Sequence, residues 1–471
     1  MSDQAEADAG LDRGLLGWLR QQLPGEISGL QRQGRGRPAW FITVGAQGDT
    51  RRYYLRCDRG VSRGINQFYP LSREYELLRR LNDTDVPVPH TLAYNDEYQA
   101  ILQEHVEGEV FFHHIADADE RERVGDDFMR ALARLHSLSP QDLDLDPQSY
   151  HVPDSPRDHA WHDLELWARV HYDSIEEPEP FMTYTLQWLQ RFVPDRVAGT
   201  VIVQGDTGPG QFIFRDGKVA AIVDWEYAHW GCPMEDLAEI RQRDLLYPFG
   251  DMQRRFQVYE EASGTPLDME LIYYYTVRSL VNTPLALIGP ELLYPNPHAD
   301  IAERLAWNAL FMRVTAEALA EAMNIDLRDE VVEVPTLPPQ TMVDRLYDAL
   351  VDDLELEQQP HQPDEYLAHR LRSTTFLAKH LRQLQRLGPL FEQQELDEVA
   401  PILGYRPQGA AEARYRLEAR VKEGLAEFDE PLIRYFYRYA RRQELLLDDA
   451  MLAQGDQGKV ARLQLLRAQS A

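Results

Sequence analysis

The sequence predicts an α+β chain with a small β-rich N-terminal lobe, a large helical lobe after it, and an extra all-α C-terminal domain. Three observations carry that expectation. Apolar and polar residues alternate across Trp40–Val44 and Arg52–Arg56, as in paired strands. From Asp117 onward the apolar positions recur at helical spacing. Val334–Gln340 then places three prolines in seven residues, a stiff linker ahead of further helical segments. The expected boundaries are 1–106 for the first lobe with its N-terminal helix, 107–330 for the helical lobe, 337–455 for the C-terminal helices and 456–471 for a tail.

In order, Leu11–Leu23 reads as an amphipathic helix stopped near Pro24-Gly25. Gly45–Asp49 reads as the turn joining the two strands. Leu71–Leu81 has helical spacing, and Val86–Pro89 must be extended because each proline disfavours helix in the residue before it. Ala100–Val106 reads as a strand leading out of the lobe. Helices are expected over 117–136, 158–172, 183–192, 234–246, 256–263, 269–282 and 299–322, and beyond the linker over 341–356, 364–387, 393–401, 410–428 and 430–451. The tail after Gln454 reads as the frayed end of the last helix.

Composition narrows the class. The net charge is −29, and residues 81–324 hold 17 Lys/Arg against 43 Asp/Glu. Such a surface repels nucleic acid and anionic membranes and favours cationic ligands. Two cysteines cannot build a disulfide framework, which suits a reducing, cytoplasmic setting. No apolar run approaches the roughly 18 residues of a membrane helix.

The chemistry concentrates in Val201–Ile240. An apolar run ends at Gly205-Asp206, Gln211 follows within a short loop, and a second apolar run, Val219–Val223, ends at Asp224. This is the layout of a phosphoryl-transfer site. One carboxylate orients a hydroxyl and takes its proton; an amide and a second carboxylate hold the metal that neutralises the phosphates of ATP. Oxygen donors such as Gln211 and Asp224 suit Mg²⁺. Gly205 permits the unusual backbone that presents a carboxylate from a strand end. Upstream, Arg56 at its strand end is placed to reach phosphates, Glu74 to pair with it, and the Gly45–Gly48 turn to close over the nucleotide.

These residues resemble the aminoglycoside phosphotransferase family of the protein-kinase-like superfamily, in the branch that includes the phosphotransferase domains fused to some acyl-CoA dehydrogenases. Family members read His-Gly-Asp, Asn, Asp-Trp-Glu, Gly-Asp-Pro and Asp-Leu-Ala. This chain has Gln204-Gly205-Asp206, Gln211, Asp224-Trp225-Glu226, Gly231-Cys232-Pro233 and Asp236-Leu237-Ala238. Met129–Ser137, Arg73-Glu74-Tyr75 and Val86–Pro89 are similar to further family segments, and the likeness covers residues 25–325. The resemblance implies a bilobal protein-kinase-like fold, ATP and Mg²⁺ as cofactors, and a small-molecule hydroxyl as acceptor. It implies Asp206 as catalytic base, Gln211 and Asp224 as metal ligands, Asp236 as a brace, Arg56 in the place of the usual Lys, and Val106 at the adenine hinge. Aminoglycosides, choline-like amines, sugars and hydroxyacyl thioesters are all acceptors among similar proteins. Gln211 in place of Asn is one methylene longer, which motivates an alternative: a nucleotide-binding scaffold with little catalysis.

Other features read as structural. His113-His114 and His159/His162 lack a third ligand at a diagnostic spacing and are expected as surface or cap histidines. Tyr273–Tyr275 is expected in the core, and the acidic, aromatic stretch around Trp161, Trp167 and Tyr172 on an amphipathic helix. The C-terminal helices are expected to mediate dimerisation or dock a partner.

Overall fold

The structure, a computed structural model, describes residues 10–33, 38–46, 49–58, 68–175, 177–285, 301–363, 365–452 and 462–466. The chain forms two compact units. The first combines the residues up to Ser155 with Val197–Arg243 and Pro248–Leu267; the second combines Pro156–Arg196, Asp244–Tyr247 and the residues from Asp268 on.

The first unit begins with helix α1 (Arg13–Gln22), whose N-terminus is capped by Asp12 accepting from the Gly14 and Leu15 N–H groups. Five antiparallel strands follow: β1 (Glu26–Arg32), β2 (Ala39–Ala46), β3 (Asp49–Cys57), β4 (Thr91–Asn95) and β5 (Ala100–Glu104), in the order β1-β2-β3-β5-β4. Helix α2 (Leu71–Leu81) lies between β3 and β4 in the chain. Strand parity divides the sheet. Trp40, Ile42 and Val44 with Tyr53, Leu55 and Cys57 form one core with Leu15, Leu16 and Leu19 of α1. A ten-residue helix is marginal alone, but each Leu buried there contributes about 1.5–3 kcal/mol, so docking holds α1 in place. Arg56, of opposite parity to Leu55 and Cys57, projects from the other face.

Several expectations need correction. The β2–β3 hairpin continues through the pairs Gly45↔Thr50 and Ala46↔Asp49, so Gly45 lies inside a strand rather than in a turn; Gly48 lies outside the described residues. Strand β5 stops at Glu104, and Val106 sits half-buried in the connection after it. Strands β1 and β4 have no clear alternation in the sequence and are found only in the structure. Each carries an irregularity, between Ile27 and Gly29 and between Thr91 and Ala93, that breaks the alternation.

Helix α3 (Ala118–Leu135) opens the helical part of this unit, capped by Asp117. Strands β6 (Val201–Val203), β7 (Phe212–Arg215), β8 (Lys218–Ile222) and β9 (His229–Gly231) pair as β6–β9 and β7–β8. Helices α4 (Pro233–Asp244) and α5 (Met252–Ser263) follow.

The second unit is helical. Helix Ile301–Ala322 carries the buried Arg313, which is ion-paired to Glu317 at 2.7 Å and to Glu444 of helix Asp429–Leu452 at 2.6 Å. The tyrosines 273–275 are buried, as expected. The two helices expected over 364–387 and 393–401 are one, Glu365–Leu403, running through Gly388-Pro389. A proline removes one backbone donor, and burial of Leu387 and Phe391 on either side holds the helix together. The tail is not a frayed helix over its described part. Residues 462–466 form no helix or strand, with Leu463 N donating to Glu317 at 3.0 Å and Leu466 N to Glu321 at 2.6 Å.

Among the described residues no helix is long and apolar enough to cross a membrane.

Candidate active site

The site is built where β6 ends, and its loop is braced from α4. Asp236, fully buried, accepts from Gln204 N at 2.9 Å and Gly205 N at 3.1 Å. His136, near the end of α3, places Nε2 3.0 Å from the Asp236 carboxylate and Nδ1 2.8 Å from the Tyr259 hydroxyl. Burial opposes the Asp236 charge, yet hydrogen bonds from His136, Thr207 and Gln204 N hold its pKa below the ordinary carboxylate value.

Gly205 has φ +81°, and a Cβ there would lie 2.5 Å from the Tyr227 carbonyl oxygen. Gly205→Ala should therefore lower stability by about 1–3 kcal/mol, read as a lower denaturant midpoint at unchanged slope.

Gln204 stands where the family pattern has His. Its Nε2 donates to Val223 O at 3.0 Å and Asp224 O at 2.7 Å. Its Oε1 accepts from Asp206 N at 2.9 Å and Thr207 Oγ1 at 3.1 Å. One amide thus makes four bonds between the two acidic segments. An imidazole, with one group on each of two nitrogens, could make two. Asp224 is held at φ +63°, an uncommon backbone for a non-glycine residue.

The structure brings the chemistry-bearing side chains into one line. Gln211 Nε2 makes a short hydrogen bond to Asp206 Oδ2 and lies 3.4 Å from Asp224 Oδ2. Asp224 Oδ1 accepts from Arg56 Nη2 at 2.8 Å. The same nitrogen lies 3.4 Å from Glu74 and 3.5 Å from Glu226. Burial works against the Arg56 charge, but Glu74 and Asp224 outweigh it and raise its pKa. Burial raises the Asp206 pKa; Arg243 opposes this, and nearby Asp224 adds to it. Gly45 lies within β2 and Val106 in the connection after β5, and neither takes part in these contacts among the described residues.

Three residues of this unit make contacts in the site to which the sequence assigns no role. Glu226 is the third carboxylate on Arg56. Arg73, on α2, donates to Ser149 O at 2.8 Å, Glu226 O at 3.3 Å and Ala228 O at 2.5 Å, with its guanidinium over Tyr69 and Tyr150. It ties α2, and hence Glu74, to the segment after Asp224. Arg243 of α4 lies beside Asp206. Its signal was available: it follows Asp236 by two helical turns and so lies on the same face.

The donor set fits the group the motif implies. Three carboxylates share one guanidinium, an excess of negative charge, and hard oxygens from Asp224 and the Gln211 amide suit Mg²⁺. Arg56 Nε is buried without a hydrogen-bond partner, a donor that a phosphate oxygen would satisfy.

The strand-end carboxylate, the following amide, the second carboxylate and a cation from a β-rich lobe define a domain of the kinase-like class. Residues 32–264 match the model of the Phosphotransferase enzyme family (APH), and the chain carries a domain belonging to that family. The chain is 28% identical over 288 residues to acyl-CoA dehydrogenase family member 11 of Rattus norvegicus, covering 56% of this chain and 35% of the relative. It is 25% identical over 286 residues to the Homo sapiens protein of that name, covering 58% and 35%. The chain thus spans about a third of the length of these curated relatives. Among solved structures, choline kinase LicA from Streptococcus pneumoniae is 15% identical with a TM-score of 0.48, covering 66% of this chain and 98% of that one.

Proposed function

We propose that the domain is a small-molecule kinase that transfers a phosphoryl group from ATP to a hydroxyl, with Asp206 as catalytic base. The observation that carries this is the continuous line Asp206–Gln211–Asp224–Arg56, drawn from three separate parts of the chain into hydrogen-bond reach. Asp206 accepts the hydroxyl proton, and its burial, which raises its proton affinity, makes it a stronger base than an exposed carboxylate. Arg56, steadied by the buried Glu74, faces the phosphates. Asp224 and the Gln211 amide oxygen would hold Mg²⁺, which supplies charge neutralisation at the phosphates when bound. Gln211 then has to turn its oxygen, rather than its N–H₂, toward that ion.

One observation favours a second reading. The Gln211 N–H₂ bridges both carboxylates and takes the place of a cation between them, so a domain that binds nucleotide without metal and turns it over slowly fits the same contacts.

The test is calorimetry with ATP, with and without Mg²⁺, beside a mass-spectrometric screen of hydroxyl compounds that includes amino alcohols, sugars and hydroxyacyl thioesters. The kinase reading expects metal-dependent binding, a phosphorylated product 80 Da heavier than one of the compounds, and loss of the metal effect in Asp224→Asn. Metal-independent binding with no product, unrescued by Gln211→Asn, would establish the second reading.

A further inference from the structure

The α4 helix touches the Asp206 loop at two points. Asp236 takes the backbone N–H groups of Gln204 and Gly205 at the start of the loop. Arg243, seven residues later and on the same face, reaches the other end, with Nε donating to Pro209 O at 3.2 Å. Gly208, at φ +142°, lets the two segments approach; a Cβ there would lie 2.7 Å from Arg243 Cβ and 3.0 Å from its Cγ. From this anchored stem the Arg243 guanidinium presents Nη1 at 3.4 Å from both oxygens of Asp206. Both side chains are largely shielded, at 16% and 23% exposure, so the attraction is less screened than at an open surface. The Gln211 amide holds Oδ2 as well. A carboxylate pinned by two groups on a fixed loop has few rotamers left to sample, and pre-set geometry of this kind governs the rate of proton removal.

We propose that Arg243 is a positioning residue: it splints the 204–209 loop and fixes the orientation of the Asp206 carboxylate toward the acceptor hydroxyl. The proposal rests on the reading of Asp206 as base. Arg243 holds the acceptor end of the site, while Arg56 and Asp224 hold the phosphate end, so its loss acts on turnover and not on nucleotide affinity.

The experiment uses the full chain with Mg-ATP, following phosphate release with water as acceptor, together with amide hydrogen exchange over residues 204–211. Arg243→Ala is expected to lower kcat by about 10–100-fold with the KM for ATP within about twofold, and to speed exchange in the loop. Arg243→Lys keeps the charge but has a single terminal nitrogen in place of the fork that reaches Asp206 and Pro209 O together, so it should recover part of kcat and little of the protection. Gly208→Ala, which displaces the Arg243 stem, should reproduce the faster exchange. Asp206→Asn is measured in parallel. If Asp206→Asn turns over like wild type, the base assignment fails. If Asp206→Asn is inactive but Arg243→Ala keeps both wild-type kcat and wild-type exchange, the role given to Arg243 is overturned. Should release from wild type be too slow to follow, unchanged loop exchange in Arg243→Ala and Gly208→Ala overturns the proposal alone.

Discussion

Asp206→Asn should leave a folded protein whose phosphoryl transfer is lowered by about 10²–10⁴-fold. The side chains are nearly isosteric, so the loop keeps its brace to Asp236 and its Gln204 bonds, which are made by the backbone. An amide cannot take the proton of an acceptor hydroxyl, and that step is what the site loses. Stability should move little, because two effects oppose each other. The substitution removes the anion that Gln211 and Arg243 address, but it also removes the repulsion between Asp206 and Asp224. The check is the initial rate of product formation with ATP in excess, beside a thermal melt. A rate within twofold of wild type at unchanged melting temperature would remove Asp206 from the chemistry.

Asp236→Ala should be the most destabilising single change in the site, by about 3–5 kcal/mol. It strands the Gln204 and Gly205 N–H groups and leaves the buried His136 ring facing an empty space. Denaturant titration reads the loss directly. A second consequence follows from charge. The folded pKa of Asp236 lies below its ordinary 3.8, so its contribution is fully present above that value. It fades as the pH falls through the lowered folded value. The fall in wild-type stability below about pH 4 should therefore be shallower in Asp236→Asn, which has no proton to take up there. An identical acid limb in both proteins would mean that other carboxylates govern acid unfolding.

The helices were legible in the sequence wherever one apolar face repeats, and α2 was read to the residue. The strands were legible only where alternation is clean. β2 and β3 sit inside the sheet and bury a regular face; β1 and β4 sit at its edges, where polar residues and bulges are tolerated and the period-2 signal is lost. Gly388-Pro389 reads as a break because local propensity favours one, and packing overrides it. In the site, Asp206, Gln211 and Asp224 were visible because one loop and one hairpin place them by spacing alone. Arg56 stood out as a cation at the end of a strand. The roles of Arg73 and Arg243 were not legible, because each reaches backbone carbonyls across a tertiary contact; the spacing of Arg243 from Asp236 puts both on one helix face but does not say what that face meets.

The two attachments of α4 to the loop also fix a length. Asp236 and Arg243 are separated by seven residues, about 10 Å of helix at 1.5 Å per residue. One residue inserted between them would turn Arg243 through about 100° around the helix axis and carry it off the loop. Between 236 and 243 the helix works as a gauge rod, and a change in residue count there breaks one of the two attachments whatever residue is added.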